Sequence, residues 1–157
     1  MKKPFATILI LSIFISFKSK SQIFTGGNAS VTYSNGLYID LSPLVGYKLN
    51  KFNAGISPFF AYSQVYADFN KNYSWGGKIF GQYTVIEGMF VHLESKISNI
   101  YTSGSRSWIF GLPVGCGYER PLWNNARAQF SILYDVLLDK NSPAENPEIR
   151  GGIIYGF

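Results

Sequence analysis

His92, Glu94 and Lys96 stand at every second position of one segment, so on an extended backbone all three project from the same face. An imidazole beside a carboxylate is the arrangement of a general base oriented by an acid. The same side chains can equally satisfy one another as a polar cluster inside a fold. Base catalysis also needs a nucleophile and an accessible pocket, and the chain contains no His-x-Ser pattern. The cluster reading therefore leads, and no catalytic residue is assigned.

Other charges fall on the same side of their own segments. Asp40, Lys48, Lys78, Glu119, Arg127, Asp135, Glu148 and Arg150 join His92, Glu94 and Lys96 in a set whose signs nearly balance. Such a set could line a narrow ion path, but its balance fits a buried network better, since unpaired burial is costly. Asp40, Lys78, His92, Glu94, Lys96, Arg127, Asp135 and Arg150 are the expected network. Gly26-Gly27, Gly76-Gly77 and Gly151-Gly152 lack the strand-to-helix setting that phosphate-binding glycines need. One His and one Cys give no metal-ligand spacing, and no cofactor is expected.

The elements that must position these charges are strands. Period-two alternation recurs along the chain, and nothing beyond the first residues shows an apolar helical period. Eight segments separated by turn signals emerge, roughly 24–33, 37–48, 52–66, 73–85, 89–101, 107–119, 126–138 and 148–157. Each is near the 9–11 residues that a tilted membrane strand requires. In the third, Phe52, Ala54, Ile56, Phe60, Tyr62 and Tyr66 oppose Asn53, Gly55, Ser57, Ala61 and Ser63; in the seventh, Phe130, Ile132, Tyr134 and Val136 oppose Arg127, Gln129, Ser131 and Asp135. A soluble sandwich with this pattern would carry edge strands, whereas closure in lipid removes every edge. The fold class is therefore all-β: an eight-stranded antiparallel up-and-down transmembrane β-barrel.

Aromatics gather toward segment ends as two girdles, Tyr62, Tyr66, Tyr73, Trp75, Tyr101 and Trp108 at the outer rim and Tyr47, Tyr83, Tyr118, Trp123, Tyr155 and Phe157 at the inner. Of the connections expected to face outward, only Asp139 to Pro147 is long. Pro43, Pro58 and Pro113 fall inside proposed strands, where a closed barrel has no free edge. They are expected at bulges or strand ends, with the inward and outward parity shifted nearby.

The two ends of the chain fix its expected destination. Met1-Lys2-Lys3 precedes an apolar run from Phe5 to Ile15, a charged start and a short apolar stretch of the secretory kind. Ser19-Lys20-Ser21 places cleavage before Gln22, giving a signal peptide over 1–21 and a barrel over 22–157. Four of the five net positive charges, Lys2, Lys3, Lys18 and Lys20, leave with that segment. The remaining chain is close to neutral and offers no electrostatic footprint for nucleic acid. The lone Cys116 excludes an intramolecular disulfide.

At the other end Ile149, Ile153, Tyr155 and Phe157 share one face. This ending resembles the C-terminal signal of bacterial outer-membrane barrels, which implies that Ile153, Tyr155 and Phe157 are read by the barrel-assembly machinery. The whole chain after the leader resembles the small OmpA/OmpX-type barrels without a periplasmic domain. Within that class, Asp40-Leu41-Ser42-Pro43-Leu44-Val45-Gly46-Tyr47-Lys48-Leu49 and Tyr73-Ser74-Trp75-Gly76-Gly77 resemble short exported barrel proteins of Bacteroidota. The resemblance implies location in the bacterial outer membrane, among its lipids, and a non-enzymatic structural role or an accessory place in a larger outer-membrane complex. A lipid-modifying acyl-transfer or hydrolytic enzyme and a narrow pore are the competing readings.

Overall fold

The computed structural model describes residues 22–33, 36–65, 71–102, 105–140, 142, 144 and 146–156. The expected leader, Tyr66 and Phe157 lie outside them, as do residues 34–35, 67–70 and 103–104 of the connections.

Nine strand elements follow in order: β1 (Gln22–Tyr33), β2 (Gly36–Leu49), β3 (Phe52–Val65), β4 (Lys71–Ile86), β5 (Met89–Thr102), β6 (Ser105–Gly111), β7 (Pro113–Trp123), β8 (Ala126–Asp135) and β9 (Glu148–Tyr155). β6 and β7 are two halves of one stave, because both pair with β5 in a single register, Lys96 opposite Gly111 and Leu93 opposite Val114. Eight antiparallel staves result. Each pairs with its sequence neighbour, and β1 pairs with β9, with Ser30 opposite Arg150, so the sheet closes on itself.

Burial inverts the order of a soluble protein. In β2 the even positions Tyr38 to Gly46 are buried, while Leu41, Pro43, Val45 and Tyr47 are exposed. Ile56, Phe60, Ile79, Leu93, Phe110, Ile132 and Ile153 are likewise exposed, and Ser57, Lys78, Glu94, Ser131 and Arg150 are buried. An apolar exterior around a charged interior is stable only where the surrounding medium is itself apolar. The chain folds as a transmembrane β-barrel.

Aromatic rings mark its outer surface. Trp75 and Trp108 meet edge to face with centroids 5.2 Å apart, and Tyr73 packs against Phe60 at 5.8 Å and Tyr62 at 5.5 Å. Arg106 and Arg120 stand on the outward parity near opposite ends of their stave, where a long side chain can reach water.

The prolines correct one expectation. Pro43 and Pro58 make no bulge, and the alternation of burial runs through both of them. Leu41 pairs with Phe60 and Val45 with Ile56, so an unchanged register sets the two prolines opposite each other. Two missing N–H donors thus share one gap in the β2–β3 ladder. Ser57 Oγ donates to the Pro43 carbonyl at 2.6 Å beside that gap. Pro113 does stand at a strand end, yet the register across it is also unchanged. The real register shifts lie between Thr84 and Ile86 and between Pro121 and Trp123, at the ends of hairpins.

A second correction concerns β8, expected to run to 138: Asp135 keeps the inward parity of Ser131 and Leu133 but meets backbone rather than a cation. β8 stops at Asp135 because its carboxylate takes up backbone instead. Oδ1 accepts from the amides of Leu112, at the β6–β7 break, and of Leu137, at 2.7 and 3.0 Å. Asn146 brackets the Asp135 backbone, accepting from its N–H at 2.7 Å and donating to its carbonyl at 2.9 Å. The connection beyond, expected to face outward, sends Ala144 into the barrel mouth against Tyr38, Phe59 and Ala61.

Candidate functional site

The strand alternation that puts apolar side chains outside aims the even positions of β2, β4, β5 and β9 at the axis. Small inward residues then make room for large ones. A Cβ on Gly76 would stand 2.7 Å from Phe59 Cε1, and one on Gly55 would stand 2.6 Å from Phe80 Cζ. Phe59 joins the apolar cluster at one end of the lumen; Phe80, with Phe24, Leu44 and Ile154, forms the cluster toward the other.

Between those clusters lies the charge network. Lys78 Nζ donates to Asp40 Oδ1 at 2.8 Å and to Ser42 Oγ at 2.7 Å, and Ser42 Oγ itself donates to Asp40. Lys96 Nζ lies 3.8 Å from Asp40 Oδ2 and donates to the Tyr38 hydroxyl at 3.4 Å. Both ammonium groups sit over the Phe59 ring, 4.9 and 4.8 Å from its centroid. A desolvated cation gains about 2 kcal/mol from such a face.

Across the lumen, Arg150 reaches from β9 to β5 and grips Glu94 through two bonds, 2.7 and 3.2 Å. The same guanidinium donates to Glu148 Oε1 at 2.9 and 3.2 Å. Three carboxylates, Asp40, Glu94 and Glu148, thereby meet three cations, Lys78, Lys96 and Arg150. Charge balance with short contacts is what offsets the desolvation of buried ions.

His92 closes one edge of this network. Gln129 Nε2 donates to Gln82 Oε1 at 3.3 Å, Gln82 Nε2 donates to His92 Nδ1 at 3.1 Å, and His92 Nε2 donates to Glu94 Oε2 at 3.3 Å. The ring also stacks on Phe80, with centroids 5.8 Å apart. Both imidazole nitrogens are thus engaged, and the acid that might orient a base is itself held by Arg150.

Of the residues expected together, the structure gathers Asp40, Lys78, His92, Glu94, Lys96 and Arg150. Arg127 stands apart, donating to Glu119 Oε1 at 2.6 Å near the end that carries the short turns. Asp135 binds backbone, as above. Tyr38, Ser42, Phe59, Gln82, Gln129 and Glu148 complete the network. Parity could have found Tyr38 and Ser42, which flank Asp40 on its own face.

The voids within this interior are small. One of about 10 Å³ lies among Ser42, Lys78, His92, Glu94 and Arg150, and one of about 20 Å³ lies under the Ala144 segment. Each holds a water molecule at most. Among the described residues no group of His, Cys, Asp and Glu side chains is placed to hold a metal ion.

No family model and no curated protein matches the chain. Among solved structures it is similar to Neisserial surface protein A, at 17% identity with a TM-score of 0.48, covering 88% of this chain and 98% of that one. It is similar at 13% identity and TM-score 0.48 to the Yersinia pestis outer membrane protein Ail in a phospholipid bilayer nanodisc, over 89% of this chain and 100% of the other. The N-terminal β-barrel domain of Pseudomonas aeruginosa OprF gives 17% identity and TM-score 0.45 over 87% and 96%. The closed ladder, rather than these similarities, establishes the fold.

Proposed function

We propose that the chain is a non-conducting, non-enzymatic barrel of the bacterial outer membrane, with a structural role or a place as accessory subunit in a larger membrane assembly. The observation that carries this reading is the packed mid-lumen, where paired charges and aromatic rings surround voids of only about 10 and 20 Å³ among the described residues. A closed interior leaves the apolar outer wall and the two rims as the surfaces on which the protein can act. In this reading the terminal strand, with Ile153 and Tyr155 exposed on its lipid side and Phe157 after them, presents the signal that the barrel-assembly machinery reads.

The test is fractionation followed by native purification of the full chain in mild detergent. The reading expects the protein in the outer-membrane fraction, faster migration on unheated than on heated gels, and unchanged outer-membrane lipids when it is deleted. Recovery in a soluble fraction would remove the barrel's setting. A lipid species lost both on deletion and in a folded His92→Gln strain would replace the structural role with an enzymatic one.

A further inference from the structure

The end of the barrel that carries the short turns differs from the rest of the lumen. A cavity of about 410 Å³ opens there, lined by Lys48, Lys51, Glu87, Tyr118, Glu119 and Arg127 among others. That volume falls within the roughly 300–1,000 Å³ of small-molecule sites. It exceeds the mid-lumen voids about twentyfold or more.

Its walls are held by backbone. Thr84 N–H donates to the Lys51 carbonyl at 2.8 Å, and Glu119 N–H donates to the Gly88 carbonyl at 2.7 Å, tying the β2–β3 and β4–β5 turns to neighbouring staves. Gly88 takes a φ of +80°, and a Cβ there would stand 2.7 Å from the Tyr118 ring. The mouth is therefore shaped by fixed turns.

The chemistry of the wall is mixed. Lys48, Lys51 and Arg127 bring positive charge, while Glu87 and Glu119 bring negative charge. Glu119 is 5% exposed, and only one of its oxygens is used: Oε1 takes the Arg127 guanidinium, whereas Oε2 has no hydrogen-bond partner among the described residues. A buried carboxylate oxygen left without a donor is costly. A donor that enters the cavity and draws the Glu119 carboxylate toward it would recover that cost. An anion alone would meet the lysines and be repelled by Glu119, and a cation alone would meet the reverse.

We infer that this mouth binds a small zwitterion, a primary ammonium carried beside an anionic oxygen group, with the ammonium toward Glu119 and the anion toward Lys48 and Lys51. Two sources present this chemistry: a phosphoethanolamine headgroup and a free amino acid. The inference concerns the mouth alone and does not depend on the role proposed for the whole barrel.

The experiment uses the full mature chain labelled with ¹⁵N in maltoside detergent and follows the amides of Lys51, Thr84 and Gly88. Phosphoethanolamine, alanine, inorganic phosphate and ethanolamine are titrated separately. At least one zwitterion should give saturable shifts at all three amides, with phosphate and ethanolamine each at least tenfold weaker. Tighter binding of phosphoethanolamine identifies the headgroup as the source, and tighter binding of alanine the amino acid. Lys51→Gln, in an exposed turn, should weaken the zwitterion about tenfold, and Glu119→Gln should weaken ethanolamine and the zwitterion together. Should Glu119→Gln fail to fold, Glu87→Gln supplies the acidic arm. Phosphate binding as tightly as phosphoethanolamine, or no saturable shift with either zwitterion, overturns the inference.

Discussion

Arg150 and Arg127 make the same kind of bond in two regions of one lumen. At mid-lumen Arg150 is 4% exposed and holds Glu94 and Glu148, which are also buried, through four hydrogen bonds. At the mouth Arg127 is 30% exposed and reaches Glu119 Oε1 at 2.6 Å. The first group is shut away from water; the second lies beside a cavity that water can enter. An ion pair contributes by what is lost when one member goes, and that loss depends on whether solvent can replace it.

The largest effect should follow from breaking the buried side of this contrast. Arg150→Met leaves Glu94 and Glu148 uncompensated among packed side chains, and refolding titrations should show a loss of about 3–5 kcal/mol. The double change of Arg150→Met with Glu94→Gln should recover part of it, since one of the two stranded charges is then removed.

Inside and outside are compared most sharply on β8. Ile132→Arg places a charge on the lipid face and should cost about 2–4 kcal/mol at mid-depth. Ser131→Ala, on the neighbouring inward position, removes only a buried hydroxyl and should cost about 0.5–1.5 kcal/mol. The ordering, measured by folding into vesicles, is the claim; a reversed order would mean that the faces of β8 are wrongly assigned.

His92 should fall between these extremes. His92→Gln breaks the relay from Gln129 through Gln82 to Glu94 but keeps a hydrogen-bonding side chain, and a loss of about 1–3 kcal/mol is expected if a partner is left unsatisfied. A cost below that range in urea titrations would mean that a water, or the substituted amide, restores the relay. Arg127→Met strips Glu119, itself 5% exposed, of a partner that stands beside a cavity open to water, and the loss should stay below that of Arg150→Met, at about 1–3 kcal/mol. Equal losses for Arg127→Met and Arg150→Met would erase the distinction between mouth and mid-lumen.

Much of this architecture was legible in the alternation of residue types. Period two set the faces of β2 to β5, and Asp40, Lys78, Glu94 and Arg150 were recognisable as inward charges because each shares a face with small or polar neighbours. Pairing was not legible, because it depends on which staves meet across the lumen. Nothing local in β9 says that Arg150 reaches Glu94 rather than Asp135. The prolines misled for a related reason: Pro43 and Pro58 read singly as two defects, and only the register of β2 against β3 reveals that they occupy one shared gap. Asp135 misled because an alternating pattern fixes where a side chain points and not whether it will meet a cation or a backbone amide. The mouth cavity is a property of how two turns sit together, which no single segment encodes.

The central claim is that paired charges fill the barrel, so its most direct test is electrical. Purified protein reconstituted into planar bilayers should give no conductance steps above baseline in symmetric potassium chloride, because ion pairs and rings pack the lumen between Phe59 and Phe80. Reproducible ohmic steps from the folded wild-type protein, absent from a heat-denatured sample, would contradict the account.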